Sequence, residues 1–529
     1  MKRITIFGYF GFDNTGDDSV LESMLNDLRS SKEESEIIVF SNAVKKTQEQ
    51  YRKYNIKCAK WDEFELLNMI IHDSDLLIIG GGGLYNCYLD YPKELFLKGN
   101  HSYFSIINFE LPYLARLYQV PCMIFGAGAS RILSEEAERH IGRSLTYCNR
   151  ITVRDEGSKE ILSRLPYAEK CNIEVTADPV FRLTGQALSS SEQCTLEYLK
   201  AQKKPLIGVS LRNWDLHGNN EKTVTAVANA INDFIEQNGG TIVLLPFDDG
   251  GILENISKDS LILNQLEEQL NSNANVLRLS GYLKPAYALT LIKECTLSIC
   301  MRLHPTIMSV SAGVPVLGLE YDPKVRNIMK MCNVEDQCID IGEIDSDSVL
   351  ERLNDLYTNY SQIRNRELTA AKTLREKAFQ NIQYVWELLE HKAESPKRDE
   401  LMEALIKAFF DNLEKEYLQK IQILFNDMKY LDVIELTACM ADDSCSADII
   451  YKMAFSYHQA GDSEHALKYY NMALEKGFSE FWVRYNRGQL YASLENRDKA
   501  KTDLIKAYKL NPERDDLLTL LKNIMESKV

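Results

Sequence analysis

Three side chains suited to a small dianion stand within twenty-five residues of one another: Arg302, His304 and Lys324. They belong to Met301-Arg302-Leu303-His304-Pro305 and Glu320-Tyr321-Asp322-Pro323-Lys324-Val325, with Ser311-Ala312-Gly313-Val314-Pro315 between them. An arginine is a fixed cation that grips carboxylate or phosphate bidentately, and a lysine is a compact point charge. An imidazole moves a proton near neutral pH. Together they could hold a doubly anionic ligand and transfer a proton beside it. A lone histidine is more often structural. His304 differs because it lies two residues from Arg302 at a strand-to-helix transition, with Lys324 at the next strand end. His72, His101, His140, His217, His391, His458 and His465 have no comparable setting and read as structural.

Five further segments could bear on a ligand. Gly8-Tyr9-Phe10-Gly11-Phe12-Asp13-Asn14-Thr15-Gly16-Asp17-Asp18 joins the first strand to the first helix. Its glycines admit close backbone approach and its polar residues can cap the helix, although the spacing is not that of a dinucleotide fingerprint. Gly80-Gly81-Gly82-Gly83-Leu84 costs much backbone entropy, so a ligand or another backbone segment must come near; no Lys-Ser/Thr follows, which excludes a P-loop. Gly126-Ala127-Gly128 repeats the theme. Arg154, before Asp155-Glu156-Gly157-Ser158, can grip an anion or pair with its acidic neighbours. Asp178, before Pro179-Val180-Phe181, is a strand-end acid able to cap or orient a loop.

The elements that must position these groups come in two alternating blocks. Ile4–Phe7, Ser35–Phe40, Leu76–Ile79, Pro121–Phe125 and Ile151–Val153 read as buried strands, with helices such as Val20–Leu28 between them. Leu206–Leu211, Gly240–Leu245, Val276–Leu279, Leu297–Cys300 and Val316–Leu319 repeat the pattern, and Pro305–Ala312 is a helix ended by Gly313. Such alternation argues two doubly wound α/β halves facing a cleft, with the ligand at the carboxyl ends of the strands. The expected domains are residues 1–185 and 205–390, joined by a polar linker at 186–204 that can carry its own helix. After the charged break His391–Arg398 no strand signal remains. Over 398–529 Ala454, Tyr457, Ala466, Tyr470 and Ala473 recur thirty-four residues later as Gly488, Tyr491, Ala500, Leu504 and Ala507, and Pro512 closes the second copy. That is the tetratricopeptide period and residue pattern. Leu418–Met440 is helical but matches poorly and reads as a degenerate repeat or cap.

Length and composition set the bounds. A chain of 529 residues implies about three or four domain-sized units. A net charge of −16 excludes nonspecific nucleic-acid binding, which needs a basic footprint, but not a local cationic pocket. Twelve cysteines include no CxxC pair and no zinc spacing; the nearest neighbours are Cys295 with Cys300, Cys332 with Cys338, and Cys439 with Cys445, all read as reduced thiols. No apolar run is long enough to span a bilayer, and Met1–Gly8 becomes a strand at once, without a signal-peptide core. A cytoplasmic location is the expectation.

Six of these motifs, in this order and spacing, resemble the polysaccharide pyruvyltransferase family, and most closely the enzymes that modify secondary cell-wall polymers of Gram-positive bacteria. They are Tyr9–Asp17, Gly80–Leu84, Arg154-Asp155, Asp178–Phe181, Arg302-Leu303-His304 and Tyr321–Val325, and the resemblance covers about residues 1–385. It implies a GT-B-like fold of two Rossmann-type domains, phosphoenolpyruvate as donor, a sugar of a cell-surface polysaccharide or its precursor as acceptor, a cyclic ketal as product, and neither metal nor cofactor. It also implies His304 as the catalytic acid or base, with Arg154, Arg302 and Lys324 holding phosphoenolpyruvate. Asn14, Asp17, Gly82 and Gly83 are the acceptor-side candidates. Asp13 stands where the family more usually has glycine, a difference bearing on the acceptor more than on the reaction. The tetratricopeptide tail lies outside the family's core; it would bind a protein partner or a second copy of the chain. A lipid-linked acceptor would require a peripheral seat at the inner membrane face, for which no clear basic amphipathic helix is visible. Two other readings stay open: a GT-B glycosyltransferase using a nucleotide-sugar, and a non-catalytic scaffold acting through its repeats.

Overall fold

The structure, a computed structural model, describes the chain except residues 31–33, 88–103, 133, 214–219, 250–257, 273, 391–406, 408–414, 439, 441–444 and 527–529. The expected break His391–Arg398 thus lies outside the described residues, as do His101, His217 and Cys439. The chain divides into two compact units: Met1–Ile56 with Ile71–Pro396, and Lys57–Ile70 with Lys397–Val529.

The strands are β1 (Lys2–Phe7), β2 (Ser35–Ser41), β3 (Lys57–Lys60), β4 (Leu76–Gly80), β5 (Tyr85–Cys87), β6 (Cys122–Ala127), β7 (Ala129–Ile132), β8 (Arg150–Val153), β9 (Ile173–Val175), β10 (Leu206–Ser210), β11 (Thr241–Leu244), β12 (Val276–Arg278), β13 (Leu297–Cys300), β14 (Val316–Glu320) and β15 (Cys338–Asp340). In the first unit they form, beside a two-stranded parallel pair, β5-β7, two large parallel sheets. One runs β2-β1-β4-β6-β8-β9 and the other β12-β11-β10-β13-β14-β15. Strands β4, β6, β10 and β13 are buried along their whole length, as strands covered by helices on both faces must be. In each sheet the order reverses between two central strands, β1 and β4 in the first, β10 and β13 in the second. Loops on either side of such a switch diverge and leave a crevice at the strand carboxyl ends. Both glycine-rich loops follow β1 and β4, and the Arg302-His304 corner follows β13.

The two halves are packed together by more than a linker. The expected linker carries the helix Ser190–Lys200, started by a Ser189–Glu192 capping box. One apolar cluster joins Val20 and Phe181 of the first half to Leu283, Leu303 and Ile307 of the second. The helix Tyr360–Glu390 belongs by sequence to the second half, yet its latter part lies on the first. Asn381 donates to the Ala177 carbonyl (3.2 Å) and accepts from the Thr176 hydroxyl (2.8 Å), and Arg375 Nε donates to the Phe181 carbonyl (3.1 Å).

Apart from β3, the described residues of the second unit are mainly helical. Ala447–Gln459 pairs with Ser463–Glu475, Glu480–Ser493 pairs with Arg497–Leu510, and Asp515–Glu526 follows. Ala454, Ala466, Ala473, Ala500 and Ala507 are fully buried, as small residues at helix crossings should be. The poorly matching stretch forms a helix over 415–426 and another at Tyr430–Thr437. Lys420 pairs there with Glu63, so Lys57–Ile70 packs with the repeats. No helix among the described residues is long and apolar enough to cross a membrane.

Candidate active site

His304 stands in the first turn of the helix Leu303–Ala312, which starts after extended Arg302 and stops at left-handed Gly313 (φ 64°). The N-terminal end of a helix favours anions and disfavours a protonated imidazole. Its ring is held against the other half of the molecule. A methyl group on Gly16 would lie 2.1 Å from His304 Nδ1, so only glycine leaves room there. On the other side Nε2 is 3.8 Å from Asp178 Oδ2, is buried, and has no hydrogen-bond partner. Burial first, then the charges of Arg154, Lys324 and Arg302, hold its pKa well below the usual 6.5. This setting favours the uncharged imidazole over the protonated one, and leaves its buried Nε2 without a partner.

The two arginines differ in how they are occupied. Arg302 is gripped from its own half. Nε and Nη2 donate to Asp259 Oδ1 at 2.9 and 2.8 Å, and Nη2 to Asp248 Oδ2 at 3.1 Å. Burial opposes its charge, but the two carboxylates outweigh that and raise its pKa. Burial likewise pushes Asp259 up to about 6 despite Arg302. Arg154, only 2% exposed, is held loosely: Nε is 3.4 Å from Asp155 Oδ2 and makes no hydrogen bond, and Nη1 is 3.4 Å from Asp178 Oδ2. Its guanidinium lies over Gly128, where a methyl group would sit 2.4 Å from Cζ. Asp155 and Asp178 are themselves fixed as caps, accepting from the Ser158 and Val180 N–H groups at 2.7 and 3.0 Å. Asp178 thus stands between Arg154 and His304, where an anion would be expected.

Lys324 opens the helix Pro323–Met331, its N–H donating to Asp322 Oδ1 (3.1 Å). Its ammonium is 4.8 Å from the centre of the Tyr321 ring. Arg212, which follows β10 across the switch point, donates to the Tyr321 hydroxyl (2.5 Å) and stacks over the same ring. Burial would raise the Tyr321 phenol, but Arg212, Lys324 and Arg302 lower it.

The first half supplies the other wall. Asn14 Oδ1 accepts from the Asp17 N–H (3.1 Å), capping the helix Thr15–Ser30, while its backbone bridges to Asp248. Thr15 ties the same loop to the second half, its N–H donating to the Phe247 carbonyl (2.9 Å) and its hydroxyl to that of Leu283 (2.7 Å). Asp17 projects against Gly82, where a methyl group would meet its carboxylate at 1.7 Å. Burial, then Asp248 and Asp18, push Asp17 up to about 7 against the pull of Arg154 and Arg302. Gly83 is exposed at the lip. Asp13 adopts φ 58°, a left-handed conformation that glycine takes freely and aspartate tolerates, and pairs with Lys46 (2.5 Å).

The geometry therefore brings His304, Arg154, Arg302, Lys324 and Asp17 around one corner, with Asn14 engaged in capping. Sequence reasoning missed Gly16, Arg212, Asp248 and Asp259. Only Arg212 carried a usable signal, since it follows a buried strand as Arg302 does.

Residues 14–323 match the family model described as polysaccharide pyruvyl transferase, and residues 483–514 match a tetratricopeptide repeat model. An 85-residue stretch is 27% identical to the amylovoran biosynthesis protein AmsJ of Erwinia amylovora, covering 16% of this chain and 20% of that protein. The match thus spans about one fifth of the length of that relative. A solved structure named as a UDP-N-acetylglucosamine 2-epimerase from Listeria monocytogenes shares 12% identity, with a TM-score of 0.50 over 75% of this chain and 99% of that one. The UDP complex of S. aureus MnaA shares 14%, with a TM-score of 0.48 over 75% and 100%. The Listeria likeness is one of fold, two Rossmann-type domains in the GT-B arrangement. With more than half of its residues matched, and the Arg302–His304 corner among them, the chain belongs to the polysaccharide pyruvyl transferase family.

Proposed function

We propose that the protein transfers the pyruvyl group of phosphoenolpyruvate to a sugar of a polysaccharide or its precursor, closing a cyclic ketal and releasing phosphate. One observation carries this reading: a neutral, buried His304 with an unpartnered Nε2, beside the loosely held Arg154 and facing Lys324. Phosphoenolpyruvate bears a carboxylate and a phosphate, a charge pattern that suits several cations around one base. Arg154 and Lys324 would take the two anionic groups, and Arg302 would offer the Nη1 edge left by its aspartates.

The charge of the bound anion raises the pKa of His304 from its depressed value, so the imidazole gains a proton on binding. Asp178, 3.8 Å away, stabilises the imidazolium and fixes its orientation. His304 then gives the proton to the methylene carbon C3 while an acceptor hydroxyl attacks C2, and Asp17 receives that hydroxyl's proton. Phosphate leaves as a second hydroxyl closes the ketal. C3 gains one proton, the two hydroxyls lose two, and the second leaves with phosphate. The repeat unit is assigned to binding a protein partner or a second copy.

The test is phosphate release from phosphoenolpyruvate over a panel of saccharide acceptors. Wild-type enzyme should require both substrates, and His304→Ala should lose on the order of a hundredfold or more in rate. Near-wild-type turnover by His304→Ala, or sugar transfer from a UDP-sugar without phosphoenolpyruvate, would sink the reading.

A further inference from the structure

The helix Thr15–Ser30 presents Asp17 to the reaction corner, and on another face Glu22 lines a separate cavity of about 600 Å³. Gln50, Gln186, Tyr282 and Tyr287 also line it, so both halves of the molecule contribute. Its polar wall is built. Gln50 Nε2 donates to the Tyr282 hydroxyl (2.7 Å), which donates to Asp18 Oδ2 (2.6 Å), one helical turn before Glu22. Glu22 is 1% exposed, and its Oε1 has no hydrogen-bond partner, Lys53 Nζ standing 4.0 Å off. A buried carboxyl oxygen without a partner is destabilising, and a ligand hydroxyl would offset that.

The lining selects among ligand classes. Its two cations are already engaged, Lys46 with Asp13 (2.5 Å) and Lys284 with Glu192 (3.0 Å), so a phosphate or carboxylate would find no unpaired charge and would meet Glu22 and Glu49 instead. No group of three or more His, Cys, Asp or Glu among the described residues could hold a metal ion. An apolar ligand would leave Glu22 and Gln186 unsatisfied. A ligand with many hydroxyls and no charge satisfies carboxyl, amide and phenol groups while resting on tyrosine rings. Burial pushes Glu22 up to about 7, so near neutrality much of it is protonated and can donate as well as accept.

We propose that this cavity is a second saccharide site, taking a neutral sugar unit apart from the corner at His304. Its chemistry stands on the cavity alone, while its use as a second seat for the acceptor glycan rests on the function proposed above.

Saturation-transfer NMR on the full chain tests it, with glucose, galactose, N-acetylglucosamine and lactose as probes. At least one sugar should receive saturation from the wild type. Binding should weaken roughly five- to tenfold in Glu22→Ala and in Gln186→Ala, about one hydrogen bond each, and persist in His304→Ala. Unchanged thermal midpoints would show that the variants are folded. Absence of transfer to every probe, binding indifferent to both pocket variants, or binding lost in His304→Ala alone would overturn the proposal. Sugar binding here in a protein that turns over no phosphoenolpyruvate would support the cavity and sink the transferase reading. The reverse result would sink the cavity alone.

Discussion

Arg154 and Arg302 look equivalent in sequence, each following a buried strand, and differ in what holds them. Arg302 is clamped at 2.8–3.1 Å by Asp248 and Asp259, whereas Arg154 touches its acids at 3.4 Å. Breaking the tight buried pair should cost about 3–5 kcal/mol of stability. Arg302→Gln should therefore lower the urea midpoint more than Arg154→Gln, while Arg154→Gln should weaken phosphoenolpyruvate binding more. Equal effects on both measurements would count against this division. Gly16 makes a sharper case. A methyl group there must displace the imidazole it would meet at 2.1 Å, and misplacing a catalytic group by about 1 Å costs on the order of a hundredfold. Gly16→Ala should lose phosphate release on that scale while keeping its fold, as circular dichroism would confirm. His304, Arg302 and Lys324 were legible because one contiguous segment carries them. Gly16, Asp248 and Asp259 were not, because each owes its role to a side chain brought near only by folding.

The strands were easier to read than their partners. Leu297–Cys300 was located to the residue, and the central strands to within two, because strands buried on both faces are uninterrupted apolar runs. Strand β15 was missed, since Cys338–Asp340 is short, partly exposed and ends on an acid. The path of the helix Tyr360–Glu390 back to the first half was also invisible, because periodicity reports a buried face and not what covers it. That helix carries a pH-sensitive brace. Glu367 is fully buried, accepts from the Val316 N–H (3.2 Å), and is pushed up to about 8 by burial against the pull of Arg366 and Arg364. A carboxyl whose folded pKa exceeds its unfolded value of 4.5 binds more protons in the folded state, so its contribution falls as pH rises from about 4.5 to about 8. Glu367→Gln should raise the thermal midpoint over wild type at pH 8.5 and lose that advantage at pH 5. A difference independent of pH would contradict the assignment.

At the scale of the molecule, the thirty-four-residue repeat was legible because its period survives in the side chains. The grouping of Lys57–Ile70 with the repeats was not, since nothing in that segment marks its partner. A chain ending at residue 396 should therefore be less stable than the full chain, having lost the packing of Lys57–Ile70 and the Lys420–Glu63 pair. An unchanged thermal midpoint would count against it. The central claim concerns the two-domain GT-B body, whose halves supply Arg154 on one side and His304 and Lys324 on the other. A ligand binding only the folded protein stabilises it by about 2.7 kcal/mol at a hundred times its Kd. The most direct test is thermal unfolding of the full chain titrated with phosphoenolpyruvate and, separately, with UDP-sugars. The account predicts a midpoint that climbs with phosphoenolpyruvate in the wild type and much less in Arg154→Gln and Lys324→Ala. A midpoint indifferent to phosphoenolpyruvate but raised by a UDP-sugar would contradict it.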